Sequence, residues 1–92
     1  MFIIELTYKK AMSDVEEFLE AHRAFLDEQY AKGIFVASGP KKPRDGGVIL
    51  AGDMSRQDLE KLLQKDPFFI QEIAQFKIID FAVTKRSPDF TY

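Results

Sequence analysis

One long run of helical periodicity, from Ser13 to Lys32, constrains this 92-residue chain more than any other stretch. Apolar side chains fall at Val15, Phe18, Leu19, Phe25, Leu26 and Tyr30, three or four apart, while Glu16, Glu17, Glu20, Arg23 and Asp27 take the other side. Ser13 followed by Glu16 fits a capping box, and Asp14, Glu16 and Glu17 suit the positive end of a helix dipole. Gly33 is the natural stop. A helix with one apolar stripe must lie on something, and the flanking sequence supplies a sheet.

Phe2 to Tyr8 alternates, with Phe2, Ile4, Leu6 and Tyr8 on one side and Ile3, Glu5 and Thr7 on the other, so it reads as a strand. After the helix, residues 34–38 and 48–51 are short apolar runs joined by turn residues, and together they predict a hairpin with a long tip. Ser55, with Asp58 three positions on, is an N-cap candidate for a short helix with Leu59, Leu62 and Leu63 as its stripe. Asp66-Pro67 restarts the chain: Asp66 can cap and Pro67 suits the first helical position, giving one or two turns within 68–74. Phe76 to Thr84 is the last strand. The domain then spans 1–84, and 85–92 is an irregular tail.

The order β-α-β-β-α-(α)-β is that of the split βαβ, ferredoxin-like sandwich. This is an α+β fold with a four-stranded antiparallel sheet and helices on one face. The other sheet face is left open, and the runs 34–38 and 48–51 are apolar on both sides. A large bare apolar face is a liability for a monomer, so a homodimer packed sheet to sheet is expected.

Composition excludes several function classes. The net charge of −2 argues against a nucleic-acid partner, which needs a basic face. The absence of cysteine rules out disulfides, thiolate nucleophiles and cysteine-held metals; with a single histidine as well, no metal and no cofactor are expected. The start lacks a signal-peptide pattern and no apolar run reaches membrane-spanning length, so a soluble, cytoplasmic protein without membrane contact is expected.

The single histidine, His22, lies on the apolar stripe of the long helix, aimed inward. Three further features could meet it: Ser38-Gly39-Pro40, Arg44-Asp45-Gly46-Gly47 preceded by Lys41 and Lys42, and Asp66-Pro67-Phe68. Each has a plain alternative. His22 reads equally as a hydrogen-bonded core residue, the Gly-Pro and Asp-Gly pairs as turns, the cations as a solvated hairpin tip, and Asp66 as a helix cap.

Taken together, in this order and spacing, His22, Ser38-Gly39-Pro40, Arg44-Asp45-Gly46 and Asp66-Pro67-Phe68 resemble the YciI-like (YCII-related) domain family. The resemblance implies a ferredoxin-like subunit of the dimeric α/β-barrel superfamily, with a histidine–aspartate pair in a pocket formed here by His22 and Asp66. It also implies chemistry on small cyclic compounds, since a dehydrochlorinase acting on a chlorinated hydroxylated ring belongs to the family. The expected function is therefore acid–base catalysis, by proton abstraction or elimination, on a small anionic, phenolic or cyclic molecule. His22 and Asp66 would be catalytic, and Ser38, Arg44, Asp45, Gly46 and Phe68 would bind substrate. A non-catalytic ligand-binding module and a dimeric interaction domain of the same fold stand as alternatives.

Overall fold

The computed structural model describes residues 1–91. The elements run β1 (Phe2–Tyr8), α1 (Met12–Ala31), β2 (Phe35–Pro40), β3 (Gly46–Ala51), α2 (Arg56–Leu63), α3 (Pro67–Ile70) and β4 (Ala74–Asp80). The strands form one antiparallel sheet in the order β2-β3-β1-β4. β1 and β2 are thus parallel with β3 between them, the split βαβ pattern expected from the element order.

The sheet's two faces differ because side chains alternate along each strand. Phe2, Ile4 and Leu6 of β1 share a face with Ile49 and Ala51 of β3, and all five are buried. The helices cover this face with Val15, Phe25, Leu59, Leu63 and Phe68, which complete the core. The register places Ile3, Leu50 and Ile79 together on the opposite face, and also sets Glu5 beside Val48 and Lys77. That open face is apolar with a charged stripe across it.

Several local expectations shift. Ser13 does not cap α1: the helix begins earlier, at Met12, and Ala11 takes the N-cap position with no side-chain bond. The Ala11 carbonyl accepts from Asp14 and Val15 instead. Ser55 does cap α2, accepting the Asp58 N–H at 3.0 Å. Gly33 ends α1 at a φ of 72°, in the left-handed region that glycine enters freely. α3 is a single turn, because Glu72 at φ 54° reverses the chain. The last strand therefore starts at Ala74 rather than Phe76, opposite Tyr8. Its ladder ends at Asp80, four residues before the expected Thr84, with Phe81 bonding the Met1 carbonyl just beyond it. Residues 81–87 are irregular, and a turn follows at 88–89; Tyr92 lies outside the described residues. No helix of the described residues is long and apolar enough to cross a membrane.

Candidate active site

α1 presents Val15, His22 and Gln29 as its most buried line, at a spacing of seven that keeps them on one side of a helix. His22 is therefore carried to the core by helix geometry. α3 begins beneath it. Asp66 is fully buried, and its Oδ1 lies 2.8 Å from His22 Nδ1. An ionised carboxylate only accepts, so Nδ1 carries the hydrogen in this pair, and in the neutral imidazole Nε2 holds the lone pair. The same Oδ1 accepts the Phe68 N–H at 2.9 Å, which is the N-cap bond of α3. Two readings that the sequence left as rivals, helix cap and histidine partner, are thus filled by one atom. Asp66 Oδ2 is buried without a partner among the described residues.

The ring of Phe68 stacks on the imidazole, centroids 4.0 Å apart and planes 2° from parallel. Tyr8 meets Phe68 edge-on at 6.1 Å. The imidazole is held through its Nδ1 and by this flat neighbour, while Nε2 bonds no protein group among the described residues.

His22 opens onto a cavity of about 550 Å³ between α1 and the helix-covered face of the sheet. Ser38, Arg44, Gly46 and Phe68 also line it. Asp66 stands behind His22, outside the lining. Asp45 is not among the lining residues: its carboxylate turns to Lys41, 3.3 Å away. Gly46 is required by close approach, since a Cβ there would sit 1.7 Å from the Leu6 carbonyl oxygen.

Lys41 ties the β2–β3 loop to the open face through Glu5, Thr7 and Asp45, at 3.2–3.3 Å. Partial desolvation pulls its ammonium down, but hydrogen bonds and charge from Asp45 and Glu5 outweigh this and hold its pKa above the ordinary lysine value. Arg44, in the same loop, faces the cavity and makes no ion pair among the described residues.

Sequence reasoning missed other lining groups. Tyr30 counted there only as a stripe residue, yet its hydroxyl meets the Ser38 hydroxyl at 2.5 Å in the cavity wall. Arg23 and Asp27 also line the cavity. Helical spacing was the available signal, since 23, 26, 27 and 30 follow His22 on one side of α1. Among the described residues, no group of three or more histidine, aspartate or glutamate side chains gathers as a metal site.

A profile of the YCII-related domain matches residues 1–82. The chain belongs to the YCII-related domain family. The fold of this YCII-related domain is similar to a solved structure of 5-chloro-2-hydroxyhydroquinone dehydrochlorinase (TftG) from Burkholderia phenoliruptrix AC1100, in complex with 2,5-dihydroxybenzoquinone. The TM-score is 0.73 at 15% identity, covering 89% of this chain and 94% of that one. The likeness is one of fold: a four-stranded antiparallel sheet with helices on one face. No curated protein matches the sequence.

Proposed function

We propose that this YCII-related domain is a small-molecule enzyme in which His22 and Asp66 form an acid–base pair. Its substrate is a small anionic compound, phenolic or cyclic in character. The observation that carries this reading is the buried 2.8 Å contact from Nδ1 to Asp66 with Nε2 left free beside a cavity. A carboxylate behind an imidazole holds one tautomer and stabilises the imidazolium that forms when Nε2 takes a proton. Arg44 supplies charge for a phenolate or carboxylate oxygen, and Ser38 and Gly46 line the cavity it faces. In an elimination, Nε2 takes the proton, the electrons it leaves form the new double bond, and the leaving group departs as an anion. The structural neighbour's activity makes dehydrochlorination the first reaction to try.

In this reading the domain is cytoplasmic and works as a homodimer, with two open sheet faces in contact through Ile3, Leu50 and Ile79. Asp45 serves the site only through the loop it helps Lys41 to hold.

The test is chloride release from 5-chloro-2-hydroxyhydroquinone by the purified protein. Release is expected, and His22→Ala should reduce it by at least about 100-fold while leaving the circular dichroism spectrum unchanged. Release that survives His22→Ala would overturn the mechanism. Saturable binding without release would favour a ligand-binding module.

A further inference from the structure

The cavity has a second polar pole that the acid–base pair does not use. It lies where Tyr30 of α1 meets Ser38 of β2, hydroxyl to hydroxyl at 2.5 Å. The Tyr30 ring is held by an edge-on contact with Phe35, centroids 6.3 Å apart, and Phe35 is itself buried. The hydroxyl is therefore placed by packing as well as by its hydrogen bond.

Tyr30 follows His22 by eight residues on the same helix, which separates their backbones by about 12 Å along the axis. The sheet gives a similar span. Ser38 sits opposite Ile49 on β3, which in turn sits opposite Ile4 on β1. His22 and Phe68 cluster with Tyr8 of β1 instead. Two strand spacings, about 10 Å, thus separate the two poles across the floor.

The sheet floor and part of the helix wall between them are aliphatic or bare, with Arg23 and Asp27 of α1 also reaching the cavity. Leu6, Leu19, Leu26 and Ile49 line it, and Gly39 and Gly47 add no side chain. An imidazole at one end, a hydroxyl pair at the other and an aliphatic floor of Leu6 and Ile49 between them suit one small ring bearing oxygens at opposite ends, each completing a hydrogen bond of about 2.8 Å. The hydroxyl pair suits either protonation state of such an oxygen. Whichever hydroxyl donates within the pair, the other keeps its hydrogen for a ligand, and lone pairs remain to accept.

Building on the site reading above, we infer that Tyr30 and Ser38 form a specificity-determining hydroxyl pair that holds the far oxygen of a ring whose near oxygen meets His22 and Arg44. The substrate class is then a small ring with two opposed oxygen functions, rather than any small anion.

The experiment compares 4-hydroxybenzoate with benzoate by titration calorimetry on wild type, His22→Gln and the double variant Tyr30→Phe/Ser38→Ala. Wild type should prefer 4-hydroxybenzoate by about five- to tenfold, the worth of one added hydrogen bond. The double variant should bind benzoate like wild type and lose that preference, a ratio that general loosening of the fold would not change selectively. Each single variant keeps one hydroxyl and should fall between. His22→Gln should weaken both ligands and keep their ratio. An unchanged preference in the double variant overturns the assignment while leaving the acid–base site standing. A wild type that binds neither ligand overturns both.

Discussion

Phe68 lies flat on His22, centroids 4.0 Å apart and planes 2° from parallel, while its own N–H bonds the oxygen that His22 also touches. One residue thus fixes the imidazole from its face and caps the turn behind it. Phe68→Ala should cost about 3–5 kcal/mol in urea denaturation, as for other buried aromatics. Phe68→Leu should cost less, about 1 kcal/mol, yet still lower chloride release by leaving the ring unsupported. Full activity in the leucine variant would reduce the stack to simple packing.

The double duty of Asp66 Oδ1 separates two variants. Asparagine is as good an N-cap as aspartate, so Asp66→Asn should change stability by no more than about 1 kcal/mol. It loses the charge that stabilises an imidazolium, and turnover should fall at least about 100-fold. Asp66→Ala removes the cap and strands a buried donor on His22, for about 2–4 kcal/mol in denaturant unfolding. Equal activity in wild type and Asp66→Asn would count against the acid–base role.

Two glycines of the cavity wall should respond oppositely to a methyl group. At Gly46 the new carbon meets the Leu6 carbonyl oxygen at 1.7 Å, whereas at Gly39 nothing among the described residues lies within 4 Å beyond its chain neighbours. Gly46→Ala should destabilise by more than about 3 kcal/mol, since the β1–β3 ladder must part. Gly39→Ala should stay within about 1 kcal/mol of wild type by thermal unfolding.

Lys41 sets a test in alkali. Its folded pKa is raised above 10.5, the net result of desolvation opposed by hydrogen bonds and charge from Asp45 and Glu5. A group whose pKa rises on folding contributes stability in full below its unfolded value and loses it as pH climbs through the folded one. The melting temperature of wild type should therefore exceed that of Lys41→Met below pH 10.5, and the gap should close above it. A gap that persists in strong alkali would mean that Lys41 acts through its methylene stem alone.

The open face yields an assembly prediction. Wild type should sediment as a dimer at micromolar concentration, and Leu50→Glu should shift it to monomer by placing an unpaired charge where Ile3 and Leu50 pair across the sheet. A monomeric wild type would remove the homodimer from the proposal.

Much of the fold was legible because its signals are local. Alternation in Phe2–Tyr8, the glycine after α1, the Ser55 cap and the Asp66-Pro67 start each act within a few residues. The errors are local too. A capping box could be written at Ser13, but the backbone had already turned helical on the Ala11 carbonyl. Glu72 gives no sign in its side chain that it will adopt a left-handed conformation.

The site was less legible because it is non-local. His22 and Asp66 are 44 positions apart, and only the family resemblance joined them before the fold did. Tyr30 has the same form: as one more ring on an apolar stripe it reads as core, and only the arrival of Ser38 from another strand gives its hydroxyl a purpose. Asp45 was expected at the site from the family resemblance alone, and the fold adds a partner that its sequence neighbours did not announce, the Lys41 ammonium at 3.3 Å.

The shared oxygen of Asp66 also makes the integrity of the site directly observable. The Phe68 amide hydrogen is held by the same atom that orients His22. Any motion that withdraws that atom frees the amide together with the imidazole. The amide's protection factor therefore sets an upper limit on how often the base loses its anchor, with no ligand or turnover required.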